Sequence, residues 1–417
     1  MLDKPYASAP DVDQSVPDPL RPRGSNQTGM RQFNERVVLQ AMRLHGSLPK
    51  AELARITKLS AQTVSLIIDR LSQDALVHKL APLRGKIGQP SVPIALNPDG
   101  ALSIGVKIGR RSLDILLLDF VGTVRMRASL AYSFPEPEPV FQMICTQVQL
   151  MKTELGPTLA HRLQGIGVAA PLSLSSWQHL LGIKPGQATR WDRIDIAARI
   201  AQDTGLPVQL AKDTAAACVA ELVSGRGRSI KSFLYMFIDT FIGGGLVIDS
   251  HLHAGLHGNA GAIGSMPMGL AIQGQGAAAP AQMLSTASLR TLETLYEHAA
   301  LDPNAAYDER ALQAPWEKYS EEWLEQAAAG IAMTINNATC LLDLEGIIID
   351  GSFCRAMLER LMLRIEAAMG HYHWEGIARP TALTGTIGPD ARALGGALLP
   401  LYANFAPDHD LFLKLDA

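Results

Sequence analysis

Between residues 48 and 96 the apolar positions change period twice, and each change predicts an element. Val64, Ile67, Ile68 and Leu71 recur at i, i+3, i+4 and i+7, so they share one face of a helix. Ser60 stands where an N-cap belongs, because its hydroxyl can accept from an orphan N–H of the first turn. Ala51, Leu53, Ala54 and Ile56 mark a short helix upstream, with only Thr57, Lys58 and Leu59 between the two. Two helices across so tight a joint form a helix-turn-helix. Phe33, Val37, Val38, Ala41 and Met42 predict a covering helix over 32–44. Apolar runs at 75–80 and 92–96 flank Arg84-Gly85-Lys86-Ile87-Gly88-Gln89-Pro90 and predict a hairpin with a basic tip, a wing.

Gln62, Thr63 and Ser65 point outward at the start of the second helix, the end that meets base edges in a major groove. With Lys58, Ser60 and the wing residues Arg84, Lys86 and Gly88 they form the candidate DNA-contact set. Lys58 falls at a joint position that is often glycine, so it is expected to be left-handed.

From residue 101 onward the pattern alternates strand and helix, an α/β signature. Strands are expected at 102–108, 112–119 and 124–130, joined as an antiparallel meander, then a helix at 138–154 and a strand at 164–170. A helix at 194–204, a strand at 208–211 and a helix at 214–223 follow. A second start at 233–238, a glycine turn and 244–250 echo the first meander, which predicts two related lobes. Helices at 323–342, 355–369 and 390–405 and a strand at 346–349 complete the reading.

Length divides the chain further. At 417 residues it exceeds one ordinary core. The expected division is a Pro-, Asp-, Ser- and Asn-rich tail over 1–30, read as disordered, a winged helix-turn-helix over 31–98, and a body over 99–417. The body's lobes are expected at about 99–225 and 230–390, with the last helix returning to the first. Charge follows the same division: residues 31–98 carry 10 Lys and Arg against 4 Asp and Glu, a net +6, whereas the tail is -1 and the body -8. A basic module on an acidic body suits a nucleic-acid binder with a separate regulatory part. Cys145, Cys218, Cys340 and Cys354 are far apart, with no C-x-x-C to suggest a zinc or redox site, and read as buried small hydrophobes in a reducing cytosol. No leader or membrane-spanning run is visible, so a cytoplasmic location is expected.

At the level of motifs the chain from about residue 30 resembles the ROK family of repressors and sugar kinases. The resemblance rests on Asn34 and Leu39, Leu53-Ala54, Leu59-Ser60, Thr63-Val64 and Leu71 in the winged part. In the body it rests on Ile104-Gly105-Val106-Lys107-Ile108-Gly109, Lys212-Asp213-Thr214-Ala215-Ala216-Ala217, Asp239-Thr240-Phe241-Ile242-Gly243-Gly244-Gly245 and Gly258-Asn259-Ala260-Gly261-Ala262-Ile263-Gly264. It implies a two-lobed actin-like (ribonuclease H-like) body with a ligand in the cleft.

Departures from the family pattern decide what that cleft is expected to do. Lys107, Gly109, Arg110 and Arg111 stand where the kinases carry an acidic residue, two glycines and a threonine in a phosphate loop. Asp239-Thr240-Phe241 replaces the second phosphate loop. Asp213 holds the position of the kinases' catalytic base, next to Lys212 in place of an asparagine. Ala262 and Ser265 replace a sugar-contacting Glu and His, and the zinc-site cysteines are missing between 273 and 284. The resemblance thus gives Gln187, Lys212, Asp213, Asp239, Thr240, Gly261 and Ser265 as the candidate ligand set, although Asp213 equally suits a helix cap. Lys107, Arg110 and Arg111 are candidates for holding an anion. His251, His253 and His257 are close enough to raise a metal, but lack cysteine partners.

The expected function is a non-enzymatic transcriptional regulator, a repressor of carbohydrate uptake or catabolism genes. Its expected partners are a double-stranded DNA operator, a sugar or sugar derivative as effector, and a second copy of itself, as a homodimer or dimer of dimers. No cofactor, metal or membrane contact is expected. The alternatives are an active ROK sugar kinase that also binds DNA, and a DNA-binding protein with no ligand.

Overall fold

A computed structural model describes residues 27–82, 91–171, 188–270 and 280–407. The expected tail up to residue 26, the expected wing residues Arg84, Lys86 and Gly88, and Gln187 lie outside the described residues, whereas residues 27–30, assigned to the disordered tail by the sequence, begin a helix.

The N-terminal module comprises α1 (Gln27–His45), β1 (Leu48–Pro49), α2 (Lys50–Thr57), α3 (Ala61–Gln73), β2 (Val77–Lys79) and β3 (Pro93–Leu96). Val38 and Met42 of α1, Leu53 of α2, and Val64, Ile67, Ile68 and Leu71 of α3 are buried in one cluster with Val77, Ile94 and Leu96. This is the apolar face that the 3.6-residue period marks. The predicted hairpin pairs antiparallel, Val77 opposite Leu96 and Lys79 opposite Ile94. A strand the period could not announce, the two-residue β1, adds to its other side in the order β1-β3-β2.

The body opens with β4 (Leu102–Ile108), β5 (Ser112–Asp119), β6 (Val124–Ala131), α4 (Pro137–Ala160), β7 (Leu163–Ala170), α5 (Ile196–Thr204), β8 (Val208–Lys212) and α6 (Asp213–Ser224). The expected end of α4 near residue 154 corresponds to a break at Gly156-Pro157, after which the helix resumes for one turn. The chain then forms β9 (Phe233–Ile238), β10 (Gly243–Ile248), β11 (His251–His253), α7 (Met283–Ala287), α8 (Leu289–His298), α9 (Glu317–Leu342), β12 (Gly346–Gly351), α10 (Arg355–Met369), β13 (Thr381–Thr384) and α11 (Ala391–Phe405).

The two body sheets share one plan. The first runs β6-β5-β4-β7-β8 and the second β11-β10-β9-β12-β13, each with an antiparallel meander followed by two parallel strands. Strand β4 is buried along its whole length, as a central strand covered on both faces should be.

Helix α11 packs on the first sheet and on α6. Small residues let it come close: a Cβ on Gly167 would overlap the Gly396 carbonyl, and one on Gly395 would overlap the Ala216 carbonyl. That approach brings the first turn of α11, with Arg392, between the two sheets.

Candidate functional site

Two regions collect the candidate residues. On the N-terminal module, Ser60 caps α3 by accepting from the Thr63 N–H at 3.1 Å, and its Oγ lies 2.8 Å from Thr63 Oγ1. Lys58 is left-handed at φ 56°, ψ 25°, and exposed. Gln62 is exposed on the first turn of α3. Ser65 is engaged already: Lys50 Nζ donates to its Oγ at 2.9 Å and to Asp69 at 3.3 Å. One turn beyond Gln62 stands Leu66, 58% exposed although apolar. Sequence reasoning passed over Leu66, since a leucine in an amphipathic helix reads as core. Lys58, Ser60, Gln62, Thr63 and Ser65 therefore lie together around one end of α3.

The second region is a cleft of about 640 Å³ between the two sheets, bounded by the β4–β5 turn, the end of β9 and the start of α11. Arg392 organises its floor. The guanidinium pairs with Asp239, lies 3.9 Å from Asp213, donates to Ser352 Oγ at 3.2 Å and stacks 5.1 Å from the Phe237 ring centre. Beside it Lys107 Nζ donates to Asp114 at 2.7 Å and to Ser112 at 3.0 Å. Burial pushes the Lys107 ammonium below its ordinary pKa, and neighbouring Arg392 adds to that, against the opposing pull of Asp239 and Asp114. For Asp239 burial acts upward, but Arg392 and Lys107 outweigh it and hold the carboxyl below the usual range. The floor is thus a chain of alternating charges.

Across the cleft the β4–β5 turn is tied to α8. Arg110 and Arg111 donate to the Glu293 carboxylate at 3.2 and 2.7 Å, and Glu293 has only 1% of its side chain exposed. Arg290 meets the same carboxylate at 3.0 Å. Tyr307 donates to Glu293 at 2.9 Å and lies 3.2 Å from the Thr240 hydroxyl, while Arg111 stacks over its ring and contacts Asn304. All three candidate anion-holding cations therefore face carboxylates of the protein itself.

Among the remaining candidates, Asp213 begins α6, accepting from the Thr214 N–H at 2.8 Å, so it both serves the helix start and faces Arg392. Lys212 is half-buried, and burial lowers its pKa. Gly261, at φ +74°, lies against the backbone of Gly245, where any side chain would overlap. Ser265 is exposed in the turn that follows. His251 Nδ1 lies 2.7 Å from the Asp249 carbonyl oxygen. Among the described residues no group of three or more His, Cys, Asp and Glu side chains is arranged to hold a metal ion.

Sequence reasoning missed Arg392, Glu293, Tyr307 and Asn304. A faint signal existed for two of them. Arg392 is a lone charge in an otherwise small and apolar helix, and Glu293 interrupts the Leu289, Leu292, Tyr296 stripe of α8.

Residues 103–401 match the model of the ROK family. The chain is 24% identical over 242 residues to the xylose repressor of Bacillus subtilis, a match covering 58% of this chain and 62% of that protein's length. A crystal structure of a ROK family transcriptional regulator, a homolog of the E. coli MLC protein, aligns with a TM-score of 0.65 at 19% identity, over 90% of this chain and 98% of that one. A ROK family glucokinase from Streptomyces griseus, solved with glucose and AMPPNP, aligns at 0.55 and 20% identity, over 72% of this chain and 99% of the kinase.

Proposed function

The chain belongs to the ROK family, and from that premise we propose that it is a DNA-binding transcriptional regulator, a repressor of carbohydrate genes, whose kinase-like cleft senses a sugar or sugar derivative without transferring phosphate. One observation carries the second half of this reading: the phosphate-loop positions are filled by closed ion pairs. A triphosphate with its metal needs open backbone amides and unblocked cations. Here Arg110 and Arg111 are taken by Glu293, Lys107 by Asp114, and Asp239 by Arg392. A nucleotide would have to displace Glu293 and leave a buried carboxylate facing its own negative charge, an arrangement that is strongly unfavourable. The names of the relatives support the first half, as do the N-terminal module and its net charge.

The mechanism in this reading runs through α11. Its first turn carries Arg392 into the cleft, and ten residues later Tyr402 stacks 5.2 Å from Arg43 of α1. At about 1.5 Å of rise per residue, that rod spans roughly 15 Å from effector cleft to DNA-binding module. A sugar that closes the lobes biases α11 and with it the seating of α1. The coupling is no larger than the sugar's differential affinity for the two arrangements. A homodimer presents two modules to the half-sites of a palindromic operator.

The competing reading, an active kinase that also binds DNA, draws on Asp213 and on the similarity to glucokinases. Thermal shift with sugars, sugar phosphates and ATP–Mg, run beside a coupled ADP-release assay, separates the two. We expect a sugar or its derivative to raise the melting temperature, since a ligand of the native state stabilises it, and no ADP to be released. Hexose-dependent ADP release abolished by Asp213→Asn would overturn the proposal.

A further inference from the structure

A second cavity, of about 200 Å³, lies at the seam between the N-terminal module and the body. Its walls come from α1, the β5–β6 turn, the end of α6 and the second half of α11, and it is separate from the effector cleft. Two guanidinium groups line it, from Arg43 and Arg228, and among the described residues no aspartate or glutamate does. This inverts the pattern in the cleft, where the cations face carboxylates.

Arg43 lies between two aromatic rings. Its guanidinium lies 5.3 Å from the Phe120 ring centre and 5.2 Å from that of Tyr402, a stack that restrains the planar fork. Nη1 reaches Gln40 at 3.4 Å and the side chain also meets Tyr402, but Nη2 is buried with no hydrogen-bond partner among the described residues. A buried N–H left unpaired is costly, and on a cation more so. Arg228 donates to the Leu44 carbonyl at 3.2 Å, at the C-terminal end of α1, which uses only part of its fork. The helix end thus accounts for one contact of Arg228 but not for the Nη2 of Arg43.

We propose that this seam is a binding site for a small oxyanion, a phosphate or carboxylate group, held by Arg43 and Arg228 together. Forked guanidiniums match such groups in geometry as well as charge. One liquid water occupies roughly 30 Å³, so the cavity has room for an anion of phosphate to small dicarboxylate size. Because α1 supplies one arginine and the body the other, the bound anion ties the DNA-binding module to the body. It provides a second input, independent of the sugar cleft.

The test is a titration of the full chain with inorganic phosphate, followed by the broadening of its ³¹P resonance at constant ionic strength. The wild type should broaden the line saturably at millimolar phosphate. Arg43→Gln and Arg228→Gln should each weaken binding by about tenfold or more, the loss expected for one charge-assisted hydrogen bond. Arg43→Lys should be intermediate, because it keeps the charge and loses the fork. Arg127→Gln, on the rim of the effector cleft, should leave the titration unchanged. Succinate competing with phosphate would mark the site as general to oxyanions, whereas phosphate resisting succinate would restrict it to phosphoryl groups. Absence of saturable broadening in the wild type, or equal broadening in wild type and Arg228→Gln, would overturn the proposal. Should Arg43→Gln fail to fold by circular dichroism, Arg228→Gln, at a half-buried position in the short turn after α6, decides alone.

Discussion

Lys58 is one of the non-glycine residues whose backbone constrains its identity. At φ 56° it lies in the left-handed region, exposed, with Thr57 bonded back to the Leu53 carbonyl at 2.6 Å. A residue with a Cβ loses about 1–2 kcal/mol there, whereas glycine is free to adopt it but adds entropy to the unfolded chain. Lys58→Gly should therefore stabilise the protein by up to about 1 kcal/mol, read as a higher melting temperature. If Lys58 is retained for a phosphate contact, the same mutant binds all DNA more weakly; a lower melting temperature would contradict the account. Asp239 permits a second prediction. Its folded pKa lies below the ordinary 3.8, so its stabilisation is fully present above the unfolded value and is lost as pH falls through the folded one. Asp239→Asn should cost about 3–5 kcal/mol near neutrality, because it leaves Arg392 buried without its closest partner. Urea unfolding from about pH 7 to pH 3 should show the deficit shrinking toward acid, and a constant deficit would contradict the assignment. Asp239 and Asp213 were legible as candidates because local motifs surround them. Arg392 and Glu293 were not, because their roles arise from pairing across 153 and 182 positions of the chain, which no local period records.

Elements with a strong period were legible nearly to the residue: β4, β5, β9 and α10 coincide with the apolar runs that predict them. Those missed were short, as with β1, β11 and β13, or had their stripe interrupted, as with α8 at Glu293. At α3 the division of labour is testable. Gln62 is exposed near the capped end, so Gln62→Ala should cost about 1–3 kcal/mol on a preferred sequence and little on random DNA. Lys86→Ala, in the stretch that the sequence predicts to be a wing, should weaken both and flatten the salt dependence. Equal losses on both DNAs for Gln62→Ala, measured by fluorescence anisotropy, would remove Gln62 from base reading. Ser65→Ala has a further consequence: it frees Lys50 from one of its two contacts, so its effect on binding should exceed that of a lone hydroxyl.

The whole molecule joins two sheets of the same plan through one cleft, and α11 runs from that cleft to the helix that covers α2 and α3. The family and the two-lobed architecture could be read from ordered motifs, whereas the latching of the phosphate positions required the lobes to be brought together. We propose that this assembly reads DNA under control of a sugar-binding, non-transferring cleft. The most direct measurement is an anisotropy titration of the full chain against a duplex that it selects from random DNA, repeated with each sugar of the panel, with and without ATP–Mg. The account predicts that a palindromic duplex is preferred over random sequence, that one sugar or derivative shifts the midpoint, and that ATP–Mg changes nothing. A chain that prefers no sequence, or whose DNA binding ignores every sugar but responds to ATP–Mg, would contradict it.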